Sequence, residues 1–416
     1  MNGEIIAVGD ELTSGRILNT TSYFAAAQLF AAGHEIIAMS TIGDDVDLIG
    51  QALQNALQRS DFVIVTGGLG PTTDDLTNEA VSGALNRPST FYPDVFKRIK
   101  KYAKHAPQDV QLSLEKLAWL PAGAHALHTE AKMAGYFLVQ DGKPIFFLPG
   151  VPHEMKELLL ETVITRLSVW EGEKLRKVRQ EVYKVYGLAE TGINKRFESL
   201  EGRDPRIRIG YYPVFPEVEV SLTLVGDGSE ETNALFRELD QEARELLEPY
   251  VYGTGDDTLE RVAGRLLTER NKTLAVAESC SGGLISHKIT RVPGSSAYFL
   301  GGVVAYSNHL KERLLGVEPS ILARHGAVSA ETARAMAEGA KKISGADIAV
   351  AVTGIAGPTG GSVEKPLGTV YFGLALEYDT LDFLFHFSGD RLQIQELSCQ
   401  TALDLVRRNL LGLEYN

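Results

Sequence analysis

The sequence predicts an α/β protein with several domains, and three observations support this prediction. The chain has 416 residues, which is more than one hydrophobic core usually supports. Short apolar strands alternate with amphipathic helices near both ends of the chain, which favours parallel sheets with helical crossovers. A less regular stretch between them is typical of a small α+β module. We therefore expect domains at residues 1–170, 171–252 and 253–416.

The first domain is predicted to alternate strands and helices. The strands are expected at residues 4–8, 35–39 and 62–65, and the helices at 22–32 and 46–59. Two later apolar runs, 135–139 and 144–148, flank a four-residue turn and predict a β-hairpin. A helix after Pro152, through about residue 167, is expected to end the domain.

The middle module and the last domain have their own patterns. Residues 217–224 alternate apolar and polar side chains, which predicts a half-buried strand. The other middle elements are expected as an extended segment at 178–186 and helices at 190–197 and 230–247. A linker at 253–257 precedes the last domain. The strands of that domain are expected at 273–277, 299–306, 347–352, 369–376 and 381–387.

Composition excludes several classes of protein. Lysine and arginine total 41 against 54 aspartates and glutamates, and the resulting charge of −13 disfavours binding to a nucleic-acid backbone. Two cysteines, Cys280 and Cys399, are too few for a disulfide framework or a zinc cluster. No apolar run approaches the length of a membrane span, and the start of the chain lacks a signal-peptide pattern. We expect a cytoplasmic protein that does not bind membranes.

Two acidic clusters follow apolar strands of the first domain. They occupy residues 9–15 and 66–75, and both combine carboxylates with glycines. Ligands of open parallel sheets bind beyond the carboxyl ends of the strands, and glycines allow a phosphate to approach the backbone. A divalent cation such as Mg²⁺ can then lie between the phosphate and the carboxylates. The clusters predict a metal–phosphate site, and the alternative is that they only form turns and helix N-caps.

Serine- and glycine-rich segments recur in the last domain, at residues 277–283, 293–296, 353–361 and 388–391. Amide hydrolysis needs a nucleophile, a base that later protonates the leaving amine, and donors for the oxyanion. A serine beside Lys311 meets this need without a metal, provided that desolvation keeps the lysine neutral. Arg391 can bind a phosphate through two parallel hydrogen bonds.

The serines and the lysine also have plain structural interpretations. Ser279 and Ser281 can cap a helix, and Ser295 and Ser296 can be turn residues. A lysine such as Lys311 is most often a solvated surface charge.

The other candidates have alternatives as well. Tyr306 can belong to the core, and Arg391 can form an ion pair with Asp390. The thiol of Cys280 is a rival nucleophile, but His287 lies too far along its helix to be a convincing base. A buried structural thiol is the favoured interpretation.

The motifs at residues 9–12, 66–75 and 149–155 resemble the CinA (competence/damage-inducible protein A) family. This resemblance implies a three-layer fold similar to the molybdopterin-binding domain, with metal-dependent ADP-ribose pyrophosphatase activity that gives AMP and ribose 5-phosphate. It implies that metal or water is held by Asp10, Glu11, Asp74 and Asp75. It implies that the phosphate is bound by Gly67, Gly68, Gly70 and Thr72.

The last domain resembles the CinA C-terminal domain, which also occurs as a free-standing nicotinamide-mononucleotide deamidase. The motifs are those at residues 278–283, 306–308, 325–329, 354–358 and 387–391. The resemblance implies Ser296 as nucleophile and Lys311 as general base, with Ser279 and Tyr306 supporting the proton path. The implied substrate-binding residues are Ser281, Gly282, Gly283, Thr353, Gly354 and Arg391.

The middle module is similar to the KH-type fold of this family, but no Gly-x-x-Gly loop occurs between residues 172 and 252. RNA binding is therefore not expected, and a spacer or dimerisation role is favoured. The resemblance as a whole implies a bifunctional hydrolase of pyridine-nucleotide salvage, acting on nicotinamide mononucleotide and ADP-ribose, as a homodimer. A divalent metal such as Mg²⁺ is expected for the first domain and no cofactor for the deamidase domain. The alternative is a non-catalytic pterin- or nucleotide-binding protein that acts in competence or recombination through a protein partner.

Overall fold

The computed structural model confirms the predicted α/β class. It describes residues 1–102, 114–127, 135–172 and 176–415. The chain folds into two compact units, of which unit 1 is Met1–Gln180 with Thr223–Phe236 and unit 2 is Glu181–Leu222 with Arg237–Asn416. Across the described ranges, no helix is both long enough and apolar enough to cross a bilayer.

Unit 1 begins with strands and helices that alternate as predicted, with ends that differ by a few residues. The strands are β1 (Asn2–Val8), β2 (Glu35–Ile42), β3 (Phe62–Thr66), β4 (Ser89–Phe91), β5 (Trp119–Pro121), β6 (His125–Ala126), β7 (Tyr136–Gln140) and β8 (Lys143–Leu148). The helices are α1 (Asp10–Thr13), α2 (Thr20–Ala31), α3 (Val46–Arg59), α4 (Thr77–Ala84), α5 (Pro93–Tyr102), α6 (Pro152–Leu158) and α7 (Ile164–Glu171). A 3₁₀ turn at Leu114–Ala118 precedes β5, and a π-helical turn at Leu159–Val163 joins α6 to α7.

The main sheet of unit 1 has the strand order β2-β1-β3-β8-β7-β6, and its central strands β1, β3 and β8 are buried on both faces. Strands β2, β1, β3 and β8 are parallel to one another. β7 is antiparallel to β8, and β6 is antiparallel to β7. Ile6 packs with α3 on one face, and Ile5 packs with α2 on the other, which gives the predicted three layers. The predicted hairpin joins β7 to β8 through Asp141 and Gly142, whose positive φ angles suit a type I′ turn.

The middle of the chain forms a four-stranded sheet with the order β10-β11-β9-β12. Its elements are β9 (Lys177–Val185), α8 (Glu190–Phe197), β10 (Ile207–Val214), β11 (Glu217–Gly226), α9 (Glu230–Leu247) and β12 (Val251–Thr254). Residues 217–224 form a strand as predicted, but the half-buried pattern is wrong, because Ser221 and Thr223 are buried like their apolar neighbours. β11 lies inside the sheet, and Thr223 is satisfied there by a 2.8 Å hydrogen bond from the side chain of Gln180.

The last domain contains five strands and six helices within the described residues. The strands are β13 (Leu274–Glu278), β14 (Phe299–Val304), β15 (Ile348–Gly354), β16 (Thr369–Ala375) and β17 (Thr380–His386). The helices are α10 (Leu259–Glu269), α11 (Leu284–Thr290), α12 (Asn308–Leu315), α13 (Pro319–His325), α14 (Ala330–Ser344) and α15 (Arg391–Leu411). All five predicted strands are therefore present, with small shifts at their ends.

The sheet of the last domain has the order β14-β13-β15-β16-β17. β14, β13 and β15 are parallel to one another. β16 is antiparallel to β15, and β17 is antiparallel to β16. One face presents Val276 and Val350 to α10 and α15, and the other presents Ala277 and Ala351 to α14. The alanine face allows α14 to approach the sheet closely, and both faces are buried.

A substitution at Gly3 can test the close packing of the first sheet. It pairs with Phe62 in β3, and a methyl group at residue 3 would lie 2.1 Å from the phenyl ring. Because Phe62 is fully buried, its ring cannot move without disturbing the core. We expect Gly3→Ala to lower the free energy of unfolding by about 1–3 kcal/mol, measured by urea denaturation.

Gly83→Ala is the matched control. Gly83 lies in α4, and a methyl group there would meet no atom within 4 Å. The free energy of unfolding should stay the same or rise by up to about 1 kcal/mol, because alanine favours a helix over glycine. Equal urea midpoints for the two variants would contradict the packing argument.

Candidate active site

Three parallel strands of the last domain end at one edge of the sheet, and most predicted catalytic residues lie there. Ser279 follows β13, Tyr306 and Lys311 follow β14, and Thr353 lies at the end of β15. Ligands of α/β sheets bind outside the carboxyl ends of the strands. This edge is therefore the candidate active site.

Lys311 is at the centre of this edge, and its side chain is buried. It lies in α12, a helix that the side chain of Ser307 caps. The Nζ atom lies 2.9 Å from Oγ of Ser279, 2.9 Å from the carbonyl oxygen of Ala305 and 3.4 Å from that of Tyr306. The prediction that a serine lies beside Lys311 is confirmed, and the alternative of a solvated surface lysine is wrong.

Burial also sets the protonation of the groups at this edge. It lowers the pKa of the Lys311 amine, and within the described part of the chain no carboxylate acts against this shift. Burial raises the pKa of the Cys280 thiol to about 12, so this rival nucleophile stays protonated at neutral pH. An amine that loses its proton easily, next to a serine hydroxyl, is the arrangement that general-base activation requires.

Glu278 organises the serine-rich loop after β13. Its carboxylate is completely buried and accepts hydrogen bonds from the hydroxyls of Ser281 (2.9 Å) and Ser286 (2.7 Å). It also accepts from the backbone amides of Gly283, Ile285 and Ser286. The resemblance implied that Ser281 and Gly283 bind substrate, but in this structure the hydroxyl of Ser281 and the amide of Gly283 donate to Glu278.

The two glycines of this loop provide its turn. Gly282 and Gly283 have φ angles of +66° and +103°, and the amide of Gly282 donates to the carbonyl oxygen of Ser279. Their role in the structure is conformational. Contact of Ser281, Gly282 or Gly283 with a substrate stays a prediction.

Ser296 lies at the opposite end of the sheet from Lys311. It is an exposed residue of the 3₁₀ turn before β14, and Phe299 at the start of β14 pairs with Leu274 at the start of β13. The five residues of β13 separate that end from Ser279 by about 17 Å. The structure does not bring Ser296 to Lys311, so the candidate nucleophile is corrected to Ser279.

Arg391 and Tyr306 form the rim of this edge. Arg391 donates from Nη1 to the carbonyl oxygen of Gly357 (2.6 Å) and from Nη2 to the hydroxyl of Tyr306 (3.2 Å). Tyr306 is 61% exposed, so the alternative that it belongs to the core is wrong. Asp390 caps α15 by accepting from the amide of Gln393, which replaces the alternative of an ion pair with Arg391. A guanidinium and an exposed ring at the rim suit a ligand with an anionic group and a flat ring.

Thr353 and Gly354 have structural roles in this structure. The buried hydroxyl of Thr353 donates to the carbonyl oxygen of Ala327 at 2.6 Å, which links β15 to the loop before α14. Gly354 packs closely against β16, where a methyl group would lie 2.7 Å from the side chain of Val370. Neither residue has a free polar side-chain group facing this edge, and their predicted contact with substrate stays a prediction.

The carboxyl edge of the first sheet collects acidic residues from three strands. The amide of Asp10 donates to the carboxylate of Asp44 (2.8 Å), and the amide of Asp44 donates back to the carboxylate of Asp10 (3.1 Å). Burial raises the pKa of Asp44, and the carboxylates of Asp10, Glu11 and Asp74 raise it further. Asp44 was missed at the sequence level, although it follows the end of β2 as Asp10 follows β1.

The other predicted residues of this edge are held by local packing. Asp75 accepts hydrogen bonds from both the amide and the hydroxyl of Thr72, which leaves it tied within its own loop. Side chains at Gly67 and Gly68 would meet Val8 O at 2.1 Å and Thr77 Oγ1 at 2.2 Å. These glycines are therefore required by packing, whether or not a phosphate binds.

Two further features complete this edge. A side chain at Gly70 would meet the carboxylate of Asp75 at 2.5 Å, so this glycine also serves the loop. Lys116, which the sequence analysis missed, donates from Nζ to the carbonyl oxygen of Thr72. It brings a cation to the acidic edge, and a phosphate could use it.

The predicted metal site stays a prediction. In the ranges that the structure describes, no three His, Cys, Asp or Glu side chains are grouped so as to hold a metal ion. The carboxylates of Asp10, Glu11 and Asp74 nevertheless act electrostatically on Asp44 and raise its pKa. Carboxylate oxygens suit Mg²⁺, which often binds through one or two carboxylates together with substrate phosphates. The residues fit a cation that arrives with a phosphorylated substrate better than one held by the protein alone.

Family models cover nearly the whole chain. The "CinA C-terminal domain" model matches residues 256–410, the "Probable molybdopterin binding domain" model residues 4–168, and the "Damage-inducible protein CinA KH domain" model residues 180–253. The three matched ranges follow the molybdopterin-binding-like, KH-like and C-terminal parts expected from the sequence.

Full-length relatives agree with these models. A "CinA-like protein" of Desulfotalea psychrophila is 48% identical over 411 residues, which cover 99% of both chains. A "Putative competence-damage inducible protein" of Caldicellulosiruptor bescii is 40% identical over 99% of this chain and all of its own length. Among solved structures, the competence/damage inducible protein CihA of Agrobacterium tumefaciens is 40% identical, with 37% of this chain and 93% of that chain covered and a TM-score of 0.36. The chain belongs to the CinA family.

Proposed function

We propose that the last domain hydrolyses the carboxamide of nicotinamide mononucleotide to nicotinic acid mononucleotide and ammonia. The observation that supports this most directly is the 2.9 Å contact between Nζ of buried Lys311 and Oγ of Ser279. The substrate is suggested by the likeness of the motifs around these residues to those of free-standing nicotinamide-mononucleotide deamidases. Burial of the amine supports a base that is neutral when it is needed.

In this mechanism the proton moves between Ser279 and Lys311. The neutral amine takes the hydroxyl proton while Oγ forms a bond to the carboxamide carbon. The C–N bond then breaks, and the ammonium of Lys311 returns the proton to the leaving nitrogen, so that ammonia departs. Water attacks the remaining ester with Lys311 again as base, and Ser279 regains its proton as the carboxylic acid leaves.

The rim orients the substrate. Arg391 directs one hydrogen bond to Gly357 and one to Tyr306, and a guanidinium has five N–H donors. The remaining donors can hold the phosphate, while the exposed ring of Tyr306 packs against the flat pyridine. Both contacts are away from the reacting carbon, so they contribute mainly to KM.

Replacement of the two reacting groups should abolish deamidation. Ser279→Ala removes the nucleophile and Lys311→Met removes the base at similar side-chain length. We expect each variant to lose at least about 10³-fold in kcat, measured as ammonia release, because removing a member of such a dyad typically costs that much.

Ser296→Ala is the matched control for this experiment. Ser296 is exposed at the far end of the sheet, so its variant should keep the activity of the wild type. Loss of deamidation in Ser296→Ala together with retention in Ser279→Ala would reverse the assignment. The urea midpoint of each variant, compared with that of the wild type, reports whether its last domain is folded.

The pH dependence of deamidation should follow Lys311. Only its neutral form accepts a proton, so kcat/KM is expected to rise with pH, with an ascending limb below the ordinary lysine pKa of 10.5. A rate that is independent of pH across this range, in a wild-type chain that stays folded, would argue against Lys311 as the base.

The free energy of unfolding provides a second test of the lowered pKa of Lys311. Because the pKa of Lys311 is lower in the folded chain than in the unfolded chain, the unfolded chain binds more protons between the two values. The wild type should therefore gain stability relative to Lys311→Met as pH rises through that window, measured by urea denaturation. A constant difference between the two chains would contradict a lowered pKa.

For the first domain we propose metal-dependent hydrolysis of ADP-ribose to AMP and ribose 5-phosphate. The support is the family resemblance together with the acidic edge of Asp10, Glu11, Asp44 and Asp74, where Lys116 adds a cation. A divalent cation bound there would offset the repulsion between these carboxylates and the diphosphate. The residues of the chain would position this diphosphate and the attacking water.

Removal of metal should separate the two activities. We expect a chelator to abolish ADP-ribose hydrolysis and to leave deamidation unchanged, because the proposed serine–lysine chemistry uses no metal. Asp74→Asn should have the same selective effect, since Asp74 is an exposed carboxylate whose loss leaves the core intact. Equal loss of both activities with chelator would contradict the division of roles between the domains.

A further inference from the structure

A cavity lies in unit 2, and its lining includes none of Ser279, Lys311 and Arg391. Its volume is about 690 Å³. Its walls come from the turn between β9 and α8, the tip of the β10–β11 hairpin, the end of β17 and one face of α15. The volume lies in the range of about 300–1,000 Å³ that small-molecule sites occupy.

One side of this cavity is aromatic. Phe385 and Phe387 lie in or just after β17, and their rings are stacked with centroids 5.7 Å apart and planes inclined by 15°. Phe215 reaches the cavity from the hairpin tip and is 52% exposed, so its ring is available for contact. These rings suit a flat apolar group.

The other side of the cavity is formed in part by a buried cluster of charged side chains. Asp404 accepts from Nε of Arg407 (2.7 Å) and from Nε of Arg408 (2.6 Å), so one carboxylate serves two guanidinium groups. Both arginines are 2% exposed. A buried cluster with one positive charge in excess favours an anion nearby.

Arg408 directs part of this charge towards the cavity. Nε binds Asp404 and Nη1 binds the carbonyl oxygen of Glu414 at 2.7 Å, but no acceptor for Nη2 is present among the described residues. Gly187, which also lines the cavity, has a φ of +83°, and a Cβ on it would lie 4.0 Å from Nη2. Gly187 adds no side chain at this position, and the guanidinium carbon of Arg408 lies 5.7 Å from the centroid of the Tyr250 ring.

Glu217 also lines the cavity, and its carboxylate accepts from Tyr252 (2.6 Å) and Gln400 (3.1 Å). It lies 3.8 Å from Nζ of Lys184, which also binds Glu219. One lysine therefore serves two carboxylates here, and an anion is expected on the Arg408 side of the cavity rather than beside Glu217.

We propose that this cavity binds a small molecule that joins one anionic group, a phosphate or a carboxylate, to a flat aromatic ring. The anion lies beside Nη2 of Arg408 over Gly187, and the ring lies among Phe215, Phe385 and Phe387. Its lining includes none of the reacting or metal-binding residues proposed above, and the proposal does not depend on either activity.

Binding of simple probes to the full-length chain tests the class of ligand. Phenyl phosphate and benzoate combine the ring with each kind of anion, whereas phenol and inorganic phosphate each supply one half. We expect phenyl phosphate or benzoate to bind at least about tenfold more tightly than either half, by calorimetry. The tighter of the two identifies the anion. If neither binds, or if phenol binds equally well, the proposal is overturned.

Substitutions at Gly187 locate the binding. Asp and Asn both tolerate positive φ and have the same shape, so Gly187→Asp and Gly187→Asn differ only in charge. The aspartate would place its own anion beside Arg408, so Gly187→Asp should melt at a higher temperature than Gly187→Asn and should lose probe binding. A lower melting temperature for Gly187→Asp than for Gly187→Asn, or unchanged probe binding in Gly187→Asp, overturns the proposal.

Discussion

The candidate active site depends on an amine that is buried without a carboxylate at hydrogen-bond distance. Desolvation of Lys311 disfavours its ammonium form, and its three oxygen neighbours are one hydroxyl and two backbone carbonyls rather than carboxylates. A carboxylate at hydrogen-bond distance would hold the proton on the lysine and would remove its use as a base. The same arrangement lowers the stability of the folded chain, which is a cost that active sites commonly carry.

Glu278 is the second buried ionisable group of this edge, and its surroundings differ from those of Lys311. The lysine has no charged partner, whereas the carboxylate is surrounded by donors from the loop that follows it. This network holds the loop, and with it Ser279, before any substrate arrives. A nucleophile that is positioned in advance loses little conformational entropy on binding, which favours reaction over rearrangement.

Much of the fold and part of the site could be predicted from the sequence. Parallel strands were recognised from their apolar runs, and residues that follow neighbouring parallel strands meet at one edge, which brought Ser279, Lys311 and Thr353 together. The same rule places Ser296 at the amino ends of the parallel strands, because it precedes β14. The prediction of Ser296 as nucleophile did not take this position into account. The role of Glu278 could not be predicted, because its partners become its neighbours only when the loop folds back. The burial of β11 was missed because it depends on the strand order of its sheet, which alternation along one strand does not report.

The paired aspartates at the acidic edge have a consequence for selectivity between cations. Asp10 and Asp44 each direct one carboxylate oxygen to the backbone amide of the other, so each offers its second oxygen to the surroundings. Single oxygens suit a small ion of strict octahedral geometry, which keeps much of its water. Calcium, which prefers more ligands and often takes both oxygens of one carboxylate, would have to break these backbone contacts first. A cation held at the joined ends of β1 and β2, as proposed for the first domain, would thereby be selected by its size.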